Sequence, residues 1–300
     1  MATITTDVLN LVKKGVDMVI GTMPPQFEDQ ASMLFGKMSA GGQKSITVRT
    51  VTGFGAGEQK AEDSNITYDV RRQVYSQDIE PLKWVKAFKH SVETDFNDFY
   101  GENAKDAGFA RDALLETRQI QAAAIFNDAF TGTSGPDGGD LCGTSVGAGS
   151  GNPTYSSRPT VDLALDPDNV AQMLSEMRAI ADPRNFARRF RGNVKLIVPN
   201  ELEFDARVIA ESTLKSGTAE NDANVVSKRI NPHVMDYLTD ATAWFLLAED
   251  PSMHGLRVVE GMPMQSWVEK DIDVLGVKTA IWEQYKHFWV HSYGIRGTNP

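Results

Sequence analysis

Cysteine is almost missing from this 300-residue chain: Cys142 stands alone, so no internal disulfide framework can form and the fold must rest on its core. Positive charge is also scarce. Thirty Lys and Arg against forty Asp and Glu leave a net charge of -10, a poor balance for a protein whose main work is to grip phosphate backbones. Long apolar runs are absent as well. The amino terminus MATITTDVLNLVKKGVDMVIG has neither the unbroken apolar core of a signal peptide or membrane span nor a small-residue cleavage site. A soluble chain with no membrane partner, suited to a reducing cytoplasm, is expected. Its length is enough to bury roughly three quarters of the unfolded surface, so one large domain or two modest ones can be built.

What the chain does have begins with one basic concentration. DPRNFARRFRGN sets Arg184, Arg188, Arg189 and Arg191 around Phe186 and Phe190, a basic and aromatic patch that ion pairs to an acidic neighbour or a solvated loop explain as readily as nucleic acid does. Val8, Val12, Val16 and Val19 predict a short amphipathic helix before the break at Pro24 and Pro25. From Ile46 the period becomes two. Ile46 and Val48 alternate with Thr47 and Arg49, then Ile66, Tyr68 and Val70 with Thr67, Asp69 and Arg71, which predicts two strands carrying a glycine-rich tip about 20 Å from the body.

The strongest helical period lies between Arg111 and Phe130. Leu114, Leu115, Ala122, Ile125, Phe126 and Ala129 make one stripe, with Arg111, Glu116, Arg118 and Asp128 off it or at its border. A helix from near Asn103, about 40 Å long and stopping at Gly132, is expected. Glycine-rich loop follows, and then DPDNVAQMLSEMRAIADP predicts a helix opened by Pro167 and closed by Pro183. VKLIVP reads as a buried strand and ELEFDARVIAES as a helix; AWFLLAED, LRVVEG and VLGVKTAIWEQYKHFWVHSYG read as later strands. Helices and strands without regular alternation place the fold in the α+β class.

Three motifs invite an enzymatic reading. GFGAGEQK lacks the third glycine of a dinucleotide loop and the Gly-Lys-Ser/Thr of a P-loop, and a polar stretch and a strand follow where a phosphate cradle needs a helix start. GTSVG over Gly143 to Gly147 has the form of a nucleophile elbow, which would make Ser145 a hydrolase nucleophile, but both flanks are glycine-rich loop rather than strand and helix. Glu283, His287 and His291 would line a zinc site on a helix; the alternation of Tyr285, His287 and Trp289 against Phe288 and Val290 predicts a strand instead, with the two histidines about 13 Å apart. His90, His233 and His254 have no partner spacing. No catalytic residue, metal or cofactor is expected.

The order of elements then carries the reading. The hairpin ITVRTVTGFGAGEQ…NITYDVRRQVY, the helix ARDALLETRQIQAAAIFNDAF, the segment NVKLIVPNELEFDARVIAES and the tail WEQYKHFWVHSYGIRG resemble, in sequence, the extended loop, spine helix, strand-proline-helix and closing strand of the tailed-bacteriophage major capsid proteins of the Hong Kong 97-type fold. NPHVMDYLTDATAWFLLAED is similar to a turn and central strand of a variant in that family. The resemblance implies an N-terminal arm over 1–40, an extended loop over 41–80, a peripheral domain over 81–160 and 271–300, and an axial domain over 161–270. It further implies a shell of hexamers and pentamers around double-stranded DNA, in the virion, with inter-subunit contacts from Phe54, Lys60, Ile66 and Tyr68. A separate scaffolding protein is expected because no long charged helical prefix precedes the arm, together with a portal and a decoration protein as further partners. Lys60 sits where some relatives cross-link, without an identifiable asparagine and acidic partner here. An encapsulin-like compartment shell is the alternative on the same fold, and a Ser145 hydrolase the alternative outside it.

Overall fold

The computed structural model describes residues 13–21, 27–51, 53–62, 64–71, 73–91, 93, 102–131, 135–136, 138–146, 155–180, 192–214, 223–271 and 276–300. Its strands are β1 (Gly36–Ser39), β2 (Ile46–Val51), β3 (Gln73–Ile79), β4 (Leu82–Ser91), β5 (Val194–Val198), β6 (Ile230–Val234), β7 (Trp244–Ala248), β8 (Leu256–Glu260), β9 (Gln265–Asp271), β10 (Gly276–Trp289) and β11 (Ile295–Thr298). They form three sheets. One runs β1-β8-β10-β4 with β9 added to β10, one runs β11-β7-β5-β6, and β2 and β3 make a separate two-stranded ribbon.

The 14-residue strand β10 is the axis of the first sheet: β4 pairs along one edge, while β9 and then β8 share the other. The long helix Glu102–Asn127 lies on one face of this sheet, at about 39 Å close to the expected length and start. Ala107, Ala110 and Leu114 seal one end of it against Ile281, and Ala122, Ala123 and Phe126 enter the main core with Tyr285 and Trp289. Arg111, placed at the border of the apolar stripe, is in fact buried. Its guanidinium bonds the Asp112 carboxylate and donates to the Val19 carbonyl of helix 13–21, so the charge is paired where it is desolvated.

The second sheet is apolar on both faces because each covers a different core. Leu196, Trp244 and Leu246 pack under the helices Pro167–Ala179 and Glu203–Glu211, whereas Ile197, Phe245 and Leu247 turn toward Phe126 and Leu256 of the main core. Pro167 opens its helix as expected, with Asp166 capping through the Asp168 amide. Pro183, Gly132 and the arginine patch 184–191 lie outside the described residues.

One expectation needs correction. No strand forms over 66–71; β2 pairs instead with Gln73–Ile79, from Ile46 opposite Ile79 to Val51 opposite Gln73, because that register alone puts Ile46, Val48 and Ile79 against one core. Residues 31–40 pack on the rest of the chain: Leu34 and Phe35 are buried in the main core and β1 pairs in parallel with β8. The stretch 295–298 joins the second sheet beside β7, and 256–271 supplies β8 and β9 to the first. Part of the glycine-rich loop is buried. Leu141 and Cys142 are in the main core, and burial raises the Cys142 thiol far above its ordinary value. Cys142 is therefore expected to stay unlabelled by a thiol reagent in the folded protein and to react at once in denaturant; rapid labelling of the native chain would contradict its placement.

Two glycine sites show why the chain bends where it does. Gly41 and Gly42, both at positive φ, turn β1 into β2 with the Gln43 amide donating to the Ala40 carbonyl, a conformation that side chains resist. A Cβ on Gly255 would strike the backbone of His291, so the entry to β8 accepts only glycine.

Candidate assembly interface

The ribbon leaves the body from a packed base. Ile46, Val48 and Ile79 sit on Phe288, Val259 and Ala40, on the face of the first sheet opposite the long helix. Beyond Val51 the packing stops. Every described residue from 53 to 71 is exposed, and none is in a helix or strand. Phe54 is 61% exposed, Ile66 63%, Tyr68 85% and Val70 72%. The tip holds its shape locally: Asp69 accepts from the Gly55 and Val70 amides, and Ser64 donates to the Ala61 carbonyl. Phe54, Lys60, Ile66 and Tyr68, the four residues singled out by sequence, line one open cleft of about 790 Å³ made of tip residues only.

A second bare surface escaped the sequence. Residues directly opposed in a sheet share a face, so β4, β10 and β9 place Val85, Trp282 and Trp267 together on the side away from the helix. Trp267 is 65% exposed and Val85 51%, while the Lys83 ammonium stands 4.2 Å over the Trp282 ring. Each of the three has an apolar residue on one side in its own strand, so no local alternation marks the face, and only the pairing brings the three together.

The motifs with enzymatic form do not assemble. Ser145 is exposed in a loop between buried Cys142 and a single bridge from Val146 to Tyr155, and no strand leads into it among the described residues. Glu283 and His287 lie on a strand, as the alternation predicts. The Glu283 carboxylate binds the Arg118 guanidinium at 2.8 Å, and Arg118 also reaches Glu260 at 3.3 Å. His287 packs on the Phe35 ring, and burial, with Arg118 nearby, holds it down to about 3, so it is neutral. Burial raises the Glu283 carboxyl above its ordinary value in spite of Arg118. His90 meets the Asp106 carboxylate at 2.6 Å and His233 donates to the Gln30 carbonyl, both acting as ties between elements. Among the described residues no three His, Cys, Asp or Glu gather to hold a metal ion, and no helix is long and apolar enough to cross a membrane.

A mixed α+β body, an apolar ribbon tip exposed at every described residue and a bare aromatic sheet face together have the character of an assembling structural subunit. Comparison with known proteins specifies which. The family described as phage capsid protein matches residues 74–293. Among solved structures, the capsid of a native GTA particle is 13% identical, with 92% of each chain covered and a TM-score of 0.61. The capsid of the cyanophage P-SCSP1u is 12% identical over 92% of this chain and 90% of that one, at 0.57. A virus-like particle from Pyrococcus furiosus is 11% identical over 96% and 98%, at 0.54. Comparison with curated protein sequences gives no match. The chain belongs to the phage capsid protein family and is a major capsid protein with the Hong Kong 97-type fold.

Proposed function

We propose that the chain assembles as hexamers and pentamers into the icosahedral shell that encloses the double-stranded DNA of a tailed phage, formed in the host cytoplasm on a separate scaffolding protein and completed by a portal and a decoration protein. The family supports a structural role in the virion head built by self-association. One observation carries the reading furthest. The four tip residues are exposed together at the end of a ribbon whose base is packed on the body, an arrangement costly in a lone subunit and satisfied when the tip lies on a neighbour.

In this reading residues 41–80 are the extended loop, with Phe54, Ile66 and Tyr68 as its apolar contacts and Lys60 as its cation. The long helix with the first sheet is the peripheral part, the second sheet with its two helices the axial part, and the segment before residue 31 the arm. The net charge of -10 keeps a shell wall from holding packaged DNA tightly. Negative-stain microscopy of the purified protein, followed by nuclease treatment and extraction, tests the reading. Closed shells of uniform size with protected double-stranded DNA are expected from phage-producing cells; shells filled with a protein cargo, or subunits that never associate, would overturn it.

The role is structural and not catalytic. Ser145→Ala is expected to leave hydrolysis of p-nitrophenyl acetate at the same background rate as the parent chain, and a drop on substitution would restore the hydrolase reading.

A further inference from the structure

The side of the first sheet that carries the long helix holds an open cavity of about 480 Å³. Helix 13–21, the long helix, the β8–β9 turn and β10 all line it, with Ile20, Leu115, Met262 and Met264 among its apolar walls. Four charged side chains line it as well: Arg111, Arg118, Glu260 and Glu283. Their charges do not cancel. Arg111 is already neutralised by the Asp112 carboxylate, so Arg118 alone answers both Glu260 and Glu283, and one negative charge is left over. The Glu283 side chain is only 3% exposed. One of its oxygens accepts from Arg118, while Oε1 is buried with no hydrogen-bond partner among the described residues. A buried carboxylate oxygen that lacks a donor is expensive to keep. We infer that the cavity binds an aliphatic primary ammonium, whose head donates to Glu283 Oε1 and whose unbranched stem lies on Leu115, Met262 and Met264. The site lies within one subunit and stands apart from the ribbon and its contacts.

Other ligand classes fit less well. A divalent cation needs about six or more oxygen ligands, and here two carboxylates are bridged by a guanidinium. Arg118 Nε also lacks a partner, but an anion placed there would face two carboxylates with one guanidinium to balance them. The volume suits a small molecule, for which sites of roughly 300–1,000 Å³ are usual. Methionine walls adapt to an unbranched stem because three rotatable bonds let each thioether follow it.

Binding is read on the purified full-length chain with isotope-labelled methionine methyl groups. At neutral pH pentylamine is expected to displace the Met262 and Met264 methyl resonances along one saturable curve, and pentanol, the same stem without the charge, to displace neither. At ten times its dissociation constant pentylamine should raise the melting midpoint by about 3 °C. Two natural sources share this chemistry: a free polyamine and the lysine side chain of another protein. Cadaverine represents the first and a capped Ala-Lys-Ala peptide the second, and the tighter binder of the two names the source. Glu283→Gln keeps the shape of the site and is expected to weaken pentylamine about tenfold or more. Met262→Lys, at a position 48% exposed, supplies the ammonium from the chain itself; it is expected to melt above the parent and to bind no pentylamine. Unmoved methyl resonances in the parent chain, equal displacement by pentanol, or undiminished binding by either variant would overturn the site.

Discussion

Deleting Gly53 to Asn65 is expected to leave a folded, soluble subunit that forms no closed shells. The described residues of this segment are all exposed and contribute nothing to the four cores, so their removal costs no buried apolar contact. The shorter connection between β2 and β3 even recovers closure entropy, a change of less than about 1 kcal/mol. Melting of the deleted and parent chains, measured at low concentration where neither associates, should therefore nearly coincide. Assembly should fail outright, because Phe54 and Lys60 are gone and Ile66 and Tyr68 no longer extend beyond the ribbon. Normal shells from the deleted chain in electron micrographs would show that the tip is dispensable.

The second large effect is at Arg118. This guanidinium lies over the Tyr285 ring at 4.6 Å, between the long helix and the sheet, and it is what compensates the buried Glu283 carboxylate. Around it Glu283 Oε1, Tyr285 Oη and Arg118 Nε find no protein hydrogen-bond partner, so the interface has little polar reserve. Arg118→Met keeps the stem over the ring and removes the charge. Leaving an uncompensated buried carboxylate is expected to cost about 3–5 kcal/mol at pH 7.

The pH dependence follows from the direction of the Glu283 shift. Burial makes the folded state hold the proton more tightly than the unfolded chain, so the stability tied to protonation is fully present below the ordinary glutamate value of 4.5 and is lost as pH rises through the raised folded value. Without Arg118 that folded value rises further. The destabilisation of Arg118→Met should accordingly shrink as pH falls from 7 toward the carboxylate range, and adding Glu283→Gln should recover most of the loss at pH 7. Denaturant melts of both variants at several pH values check this; a loss independent of pH would assign the cost to packing alone.

How much of this was legible beforehand depends on whether an element is decided locally. The long helix was, since its apolar repeat persists over many turns and the structure starts it at Glu102, one residue from the expected Asn103. So was the helix opened by Pro167, and so were the apolar runs that became β5, β7 and β8. The second ribbon strand was not. Ile66, Tyr68 and Val70 alternate as well as any strand, but a strand needs a partner, and the partner of β2 is QVYSQDI, whose polar residues hide it.

The candidate interface divides the same way. Its tip is one continuous segment, and Phe54, Lys60, Ile66 and Tyr68 can be picked out by their position alone. The aromatic face is contributed by β4, β9 and β10, from distant parts of the chain, and no single stretch betrays that Val85, Trp267 and Trp282 share a side. Arg118 was likewise visible only as a charge beside an apolar stripe; its partner Glu283 is supplied by a strand far along the sequence.

Electron cryomicroscopy of the assembled particle, at a resolution that traces the ribbon, tests the central claim most directly. Density for residues 53–71 should run from one subunit onto the body of the next, with the side chains of Phe54 and Tyr68 covered by that neighbour. Density that turns back onto its own subunit and buries those side chains there would contradict the account.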